Sequence, residues 1–192
     1  IVQTSFGTMH DRPMVLVKLI DEDDYVGVGE VWCNFPAVGA EHRARLIDSV
    51  FTPLLTMEPF DSPASAFELL TRKTWVLGLQ TGEFGPIAQC IAGIDIAFHD
   101  LMARRDKTPL WKYLGGVSDS VETYASGINP TDAEKTAEAA LKSGYRALKL
   151  KIGFNPAHDI QNIKSLRTLL GEYGHLMVDA NQAWAAINNN NP

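Results

Sequence analysis

The sequence lacks the features that mark secreted, membrane-spanning or nucleic-acid-binding proteins. Only two of its 192 residues are cysteines, Cys33 and Cys90, which excludes the disulfide framework of small secreted proteins. Acidic residues outnumber basic ones by 23 to 17, so the net charge of −6 argues against a basic surface for nucleic acids or anionic membranes. No run of about 18 apolar residues occurs. We therefore expect a cytoplasmic protein with no nucleic-acid partner and no membrane partner.

Motifs for nucleotide and zinc chemistry are also missing. There is neither a phosphate-binding P-loop nor an HExxH helix, and the five histidines show no metal-ligand spacing. Gly27-Val28-Gly29 lacks the third glycine of a dinucleotide fingerprint, because Trp32 stands at that position. The 45% hydrophobic and 21% charged content is typical of a globular protein, so a packed core is expected.

The first part of the chain predicts two strands followed by helices. Apolar, β-branched runs at 14–20 and 25–31 flank an acidic connection, which predicts an antiparallel hairpin. Helical spacing follows at 46–51, where Pro53 should end the helix, then at 63–75 and 86–105. Strands followed by helices indicate an α+β unit, which we assign to residues 1–116.

The pattern changes after Gly116. Strands are predicted at 121–126, 147–152 and 176–179, separated by a helix that a Thr131–Glu134 capping box should begin and by a helix that Asn155 should cap. A turn is expected at 127–130. Strands alternating with helices are typical of parallel sheets with right-handed crossovers. Residues 117–192 are therefore predicted to form a partial (β/α) barrel domain.

The strand at 147–152 places two lysines on one face. Lys149 and Lys151 alternate with apolar residues at 148, 150 and 152. One interpretation is a half-solvated strand with lysines in water. Because a parallel strand between two helices should be covered on both faces, we favour lysines that face a polar cavity and an anion.

Asp179 and Asn181 directly follow the third strand, at the carboxyl edge where side chains of parallel sheets do chemistry. They could form an Asx turn or begin a helix. Alternatively, their oxygens suit a hard cation such as Mg²⁺. Both interpretations stay open at this point, and Asp179 alone would not complete a metal site.

These residues, together with others, resemble those of a known family. The relevant segments are Lys149-Leu150-Lys151, Val178-Asp179-Ala180-Asn181-Gln182, Gly93-Ile94-Asp95-Ile96-Ala97, the stretch from Pro109-Leu110-Trp111 to Gly115-Gly116, and Tyr124-Ala125-Ser126-Gly127. With them the sequence resembles the mandelate racemase/muconate lactonising enzyme group of the enolase superfamily. The resemblance implies an α+β capping domain followed by the first three strands of a modified (β/α)-barrel. His99 departs from it, since tryptophan is usual there.

The resemblance also implies residue roles around a magnesium ion. Asp179 resembles the first of three carboxylate ligands to Mg²⁺, and Asn181 and Ser126 resemble groups that support the metal or the substrate. Lys151 resembles the base that removes the proton α to a carboxylate. Lys149 resembles the cation that assists it.

Two loops resemble the parts of the capping domain that shape substrate specificity. The first is the loop at residues 5–9, where Phe6 and Met9 are the candidate specificity residues. The second is the loop at 32–39, where the candidates are Trp32 and Phe35.

The implied reaction is magnesium-dependent abstraction of the proton α to a substrate carboxylate, giving an ene-diolate intermediate. It leads to racemisation, epimerisation or dehydration of a small hydroxy or sugar acid, and the alternative within the superfamily is cycloisomerisation. The resemblance also implies a small carboxylate substrate and a homo-oligomer.

The other metal ligands and the second acid or base of the family lie on later strands. The chain begins at Ile1 and ends in a polar tail at 188–192, so we expect a piece of a longer enzyme that is inactive alone. It should also be poorly stable alone, because three parallel strands leave an exposed edge and the missing elements should cover the apolar face at 148, 150 and 152. Alternatives are a non-catalytic module and a small α/β protein that binds an anion through Lys149 and Lys151.

Overall fold

The computed structural model describes residues 2–4, 7–34, 36–181 and 183. The chain divides into two compact units, one of residues 11–119 and one that combines residues 1–10 with residues 120–192. The division of the sequence at residue 116 stays a prediction.

The described residues form strands and helices in the following order. The elements are β1 (Val2–Thr4), β2 (Gly7–Met9), β3 (Val15–Ile20), β4 (Val26–Val31), α1 (Gly39–Leu46), a π-helical segment (Ile47–Phe51), α2 (Thr52–Thr56), α3 (Pro63–Thr81), α4 (Phe84–Arg105), α5 (Leu110–Tyr113), β5 (Ala125–Ile128), α6 (Ala133–Lys142), β6 (Ala147–Lys151), α7 (Pro156–Leu170) and β7 (His175–Asp179). None of the helices in this part of the chain is long and apolar enough to cross a membrane.

The unit at 11–119 packs the predicted hairpin against α4. Strands β3 and β4 are antiparallel, as predicted, with Val15 opposite Val31 and Ile20 opposite Val26. The helix lies so close to β4 that a Cβ on Gly29 would overlap the backbone oxygen of Gly93. Because Gly29 and Gly93 have no side chains, α4 can approach the hairpin closely and bury an apolar face against it. The core of the unit includes Val17, Val31, Phe51, Leu70, Ile87, Cys90, Ile91, Ile94 and Ala97.

The expectation that Pro53 ends a helix was wrong. Pro53 lies in the first turn of α2, which continues from the π-helical segment at Ile47–Phe51. The proline directly follows the wider π-helical turn, in which the Thr52 N–H donates to the Ile47 carbonyl oxygen, and it is tolerated there although it has no N–H of its own to donate. Helix α3 starts at Pro63 as predicted but extends to Thr81, where Gly82 in the left-handed region ends it.

The second unit contains the predicted parallel sheet, with strand order β5-β6-β7. Both strand pairs are parallel. Helices α6 and α7 join the strands in the order strand–helix–strand–helix–strand. The predicted fold class, an α+β capping domain followed by the first three strands of a (β/α)-barrel, is confirmed.

The expectation that the apolar face of β6 would be uncovered was wrong. Leu148 and Leu150 are fully buried and Ile152 is 5% exposed. They pack in one cluster with residues of β5, α6 and α7, namely Ile128, Ala133, Ala137 and Leu166. The two helices that connect the strands therefore cover this face, so its exposure gives no reason to expect low stability.

Two local predictions in this unit also require correction. Strand β5 begins at Ala125 and extends to Ile128, into the first half of the turn expected at 127–130, where Gly127, with φ of +79°, lies at an irregularity in the register. The Thr131–Glu134 capping box is absent: Asp132 occupies the N-cap of α6 with φ of 56° and makes no side-chain cap. The predicted cap of α7 is confirmed, since the side chain of Asn155 accepts a hydrogen bond from the His158 N–H.

Candidate active site

The register of the parallel sheet places the candidate residues of two strands side by side. Lys149 pairs with Met177 and Lys151 pairs with Asp179 along the β6–β7 ladder. Alternation along β6 puts both lysines on the face opposite the buried leucines. The site therefore lies at the carboxyl end of two adjacent strands, where parallel sheets place their functional groups.

The ammonium group of Lys151 is held by two oxygens. Its Nζ donates to Oδ2 of Asp179 at 2.8 Å and to Oδ1 of Asn181 at 2.9 Å. Lys149 Nζ lies 3.6 Å from the same Oδ2 of Asp179. About a quarter of each lysine side chain is exposed (21% and 25%), so neither is a freely solvated surface lysine. The anion that the two lysines face is therefore the carboxylate of Asp179, within the same sheet.

The surroundings of Asp179 hold its carboxyl group in the charged form. The hydrogen bond from Lys151, followed by the one from the Asn181 backbone, lowers the pKa of Asp179 to about 2. The Asn181 N–H donates to Oδ1 at 2.8 Å, and Asn181 has φ of 49°. This is an Asx turn, one of the two interpretations of Asp179 and Asn181. It engages Oδ1 while Oδ2 faces the lysines.

Lys149 has a further partner that sequence reasoning missed. Its Nζ donates to the hydroxyl of Tyr124 at 3.1 Å and lies 4.9 Å from the centre of the tyrosine ring. The hydrogen bond to Tyr124 is the main cause of a raised pKa for Lys149. A signal was available, because strand alternation puts Tyr124 on the same face as Ser126, next to the lysine strand.

The remaining candidates are placed less completely. Ser126 lies in β5 with an exposed side chain. Met9 lies in β2, which pairs with β1, so this part of the expected loop is a strand. Trp32 follows β4 in the unit at 11–119 and is 51% exposed. Phe6 and Phe35 lie outside the described residues, and the specificity roles of all four hydrophobic residues stay predictions.

Asp179 has the chemistry of a magnesium ligand. Its carboxylate is a hard oxygen donor, and its low pKa keeps it anionic at neutral pH. Mg²⁺ commonly takes only one or two carboxylates and completes its shell with water and substrate. Among the described residues, no three His, Cys, Asp or Glu side chains form a metal-binding group. The sheet can therefore supply one ligand to Mg²⁺, the carboxylate of Asp179, but the described residues do not form a complete magnesium site.

Comparison with known families agrees with this arrangement. A family model described as "Mandelate racemase / muconate lactonizing enzyme, N-terminal domain" matches residues 1–115. A second, described as "Enolase C-terminal domain-like", matches residues 132–189 and so includes the lysines of β6 and Asp179.

Comparison with individual curated proteins also finds enzymes that are similar to this chain. The chain is 30% identical to a 3,6-anhydro-alpha-L-galactonate cycloisomerase of Streptomyces coelicolor, with 96% of this chain and 51% of the relative covered. Other curated relatives are named as epimerases, racemases and dehydratases. The chain spans about half the length of the curated relatives it matches.

Two solved structures are similar throughout most of the chain. A mandelate racemase/muconate lactonizing enzyme from Bordetella bronchiseptica is 56% identical, with a TM-score of 0.87 over 92% of this chain and 48% of that one. A racemase from Streptomyces coelicolor with bound magnesium is 29% identical, with a TM-score of 0.78 over 90% of this chain and 51% of that one. The chain therefore belongs to the mandelate racemase/muconate lactonizing enzyme group of the enolase superfamily.

Proposed function

We propose that the full-length protein removes the proton α to the carboxylate of a small acid in a magnesium-dependent reaction. The product of this step is an ene-diolate, which leads to racemisation, epimerisation or dehydration of a hydroxy or sugar acid. The observation that carries the proposal is the convergence of Lys149, Lys151, Asp179 and Asn181 at the carboxyl ends of β6 and β7.

The difficulty of this reaction is electrostatic. A proton next to a carboxylate is weakly acidic, because its removal places a second negative charge on the same group of atoms. Fixed positive charge near those oxygens stabilises the negative charge that develops in the transition state, and such preorganised groups accelerate a reaction more than uniform binding does. A bound Mg²⁺ would act as a Lewis acid on the substrate carboxylate.

The two lysines are suited to different roles. Lys149 is the fixed cation, because its hydrogen bond to Tyr124 raises its pKa and keeps the ammonium form. Lys151 is the base, because it lies nearer the carboxyl end of β6 and thus nearer the mouth of the site. Its Nζ donates to Asp179 and Asn181 as an ammonium group in this arrangement, so it must first release one proton before its nitrogen can accept the α-proton of the substrate.

Asp179 and Asn181 support the proposed cofactor. Asp179 would hold Mg²⁺ through its carboxylate, and Asn181 would keep that carboxylate in place through the hydrogen bond from its backbone N–H. Ser126, exposed on β5, would contact the metal or the substrate. Phe6, Met9, Trp32 and Phe35 would select the substrate side chain.

The test is exchange of the substrate α-proton in heavy water, measured by NMR with full-length protein, Mg²⁺ and a panel of hydroxy and sugar acids. Lys151→Ala should abolish exchange on the face served by β6, while the substrate still binds. Lys149→Ala is the matched control on the same strand, and it should weaken binding and slow exchange. Exchange retained in Lys151→Ala but lost in Lys149→Ala would reverse the two roles. The product spectrum separates racemisation, dehydration and cycloisomerisation.

The cofactor proposal has its own test in calorimetric titration of Mg²⁺ into the full-length protein. Asp179→Asn should weaken binding more than Asn181→Ala, because the first removes a charged ligand and the second only a neighbouring amide. Wild-type magnesium affinity in Asp179→Asn would contradict the assignment of Asp179 as a ligand.

A further inference from the structure

Asp159 is a buried acidic residue that the proposed reaction does not use. It lies in the first turn of α7 and is 8% exposed. Its Oδ2 accepts a hydrogen bond from the Gly153 N–H at 2.8 Å, while Oδ1 is buried and has no hydrogen-bond partner in the described part of the chain. Burying a carboxyl group costs free energy when one of its oxygens has no hydrogen-bond partner, so the presence of Asp159 at this position needs an explanation.

Helix capping does not explain it. The N-cap of α7 is Asn155, whose side chain already accepts from His158. Gly153 lies outside the helix, two residues before that cap. Asp159 therefore connects α7 to the loop that leaves β6 rather than completing its own helix.

Gly153 is the point where this loop meets the segment after β7. It lies two residues after Lys151, with φ of +91°. A Cβ at Gly153 would overlap Cβ of Ala183 and lie 3.6 Å from Cβ of Ala180. The neighbouring Ile152 N–H donates to the Asp179 backbone oxygen at 3.1 Å. The ends of β6 and β7 thus meet without a side chain between them, directly beside the candidate site.

We propose that Asp159 is a positioning residue that holds Gly153 against the segment after β7 and thereby fixes Lys151 relative to Asp179 and Asn181. The proposal rests on the proposed function, because it concerns the geometry of that reaction. A shift of about 1 Å between reacting groups can slow a reaction on the order of 100-fold. Loss of the Asp159 hydrogen bond should therefore reduce turnover more than substrate binding.

The experiment compares Asp159→Ala, Asp159→Asn and Asn155→Ala in the full-length protein. Asp159→Ala should lower kcat for α-proton exchange roughly 10- to 100-fold, with KM changed by less than about threefold. Asp159→Asn keeps an oxygen acceptor for Gly153 and should restore most of kcat. Asn155→Ala weakens the start of the same helix without touching Gly153, so it should lower thermal stability but keep kcat near wild type.

A second measurement does not depend on activity. Hydrogen exchange of the Ile152 and Gly153 amides should be faster in Asp159→Ala and near wild type in Asp159→Asn. If the wild-type protein exchanges no substrate proton, the proposed function fails while the amide data still decide the role of Asp159. Unchanged amide protection, or equal loss of kcat in Asp159→Ala and Asn155→Ala, would overturn the proposal. Should Asp159→Ala not fold, Asp159→Ser, whose hydroxyl is too short to reach Gly153, replaces it under the same criteria.

Discussion

Replacement of Lys151 by methionine should change the ionisation of Asp179 more than any other single substitution at the site. The Lys151 Nζ lies 2.8 Å from Oδ2 and forms a hydrogen bond, whereas Lys149 Nζ lies at 3.6 Å, beyond hydrogen-bond distance. Coulomb energy falls with the inverse of distance, so the Lys149 pair is about a fifth weaker even before the missing hydrogen bond is considered. Lys151 is thus the main cause of the low pKa of Asp179.

The size of the effect follows from the two limits of that pKa. It is about 2 in the wild-type arrangement, and an unperturbed aspartate has a pKa of about 3.9. At pH 3, Asp179 is therefore roughly nine-tenths ionised in the wild type and would be only about one-tenth ionised at the unperturbed value. Loss of its main cause should raise the pKa of Asp179 into the upper half of this interval in Lys151→Met. The pKa should stay below the unperturbed value because Lys149 and the Asn181 N–H remain. Lys149→Met, the matched control, should leave the pKa of Asp179 at about 2.

The assay is a ¹³C NMR titration of the Asp179 carboxyl carbon without Mg²⁺, with amide spectra to confirm that each variant is folded. The sign for stability follows from linkage. Since folding lowers the pKa of Asp179, its stabilising contribution is complete above about pH 4 and is lost as the pH falls through about 2. This acid-dependent loss should be smaller in Lys151→Met. An unchanged pKa in Lys151→Met, or a larger rise in Lys149→Met, would refute the reasoning.

Two further predictions concern the surroundings of the site. Leu166→Ala, at a fully buried position of α7, should lower the free energy of unfolding by about 2–5 kcal/mol. Ile160 is 55% exposed on the same helix, so Ile160→Ala should lower it by less than about 0.5 kcal/mol. Equal urea midpoints of the two variants would contradict the burial of this face of the sheet. Tyr124→Phe keeps the ring but removes the hydroxyl that accepts a hydrogen bond from Lys149, so the pKa of Lys149 should fall in an NMR titration. KM for the carboxylate substrate should rise about two- to fivefold, because one partly exposed hydrogen bond contributes about 0.5–1 kcal/mol. Unchanged KM and pKa in Tyr124→Phe would remove Tyr124 from the site.

Sequence reasoning worked best where the signal was local. The hairpin at 15–31 and the two lysines on one face of β6 follow from a two-residue period, and the start of α7 follows from Asn155 and the proline after it. It failed where a neighbour changed the local preference. Pro53 continues a helix because the π-helical segment precedes it. Gly127 lets β5 extend into the first half of an expected turn because the sheet accommodates the irregular register.

The sequence by itself determined which side chains lie at the carboxyl ends of the strands. Strand alternation and the order of the elements place Lys149, Lys151 and Asp179 there without reference to other parts of the chain. Only the tertiary structure decided which of them meet. Lys151 and Asp179 are 28 residues apart in the chain and pair through the register of two parallel strands. No local pattern sets that register; it follows from the burial of Leu148 and Leu150 against α6 and α7, which fixes the position of β6 in the sheet.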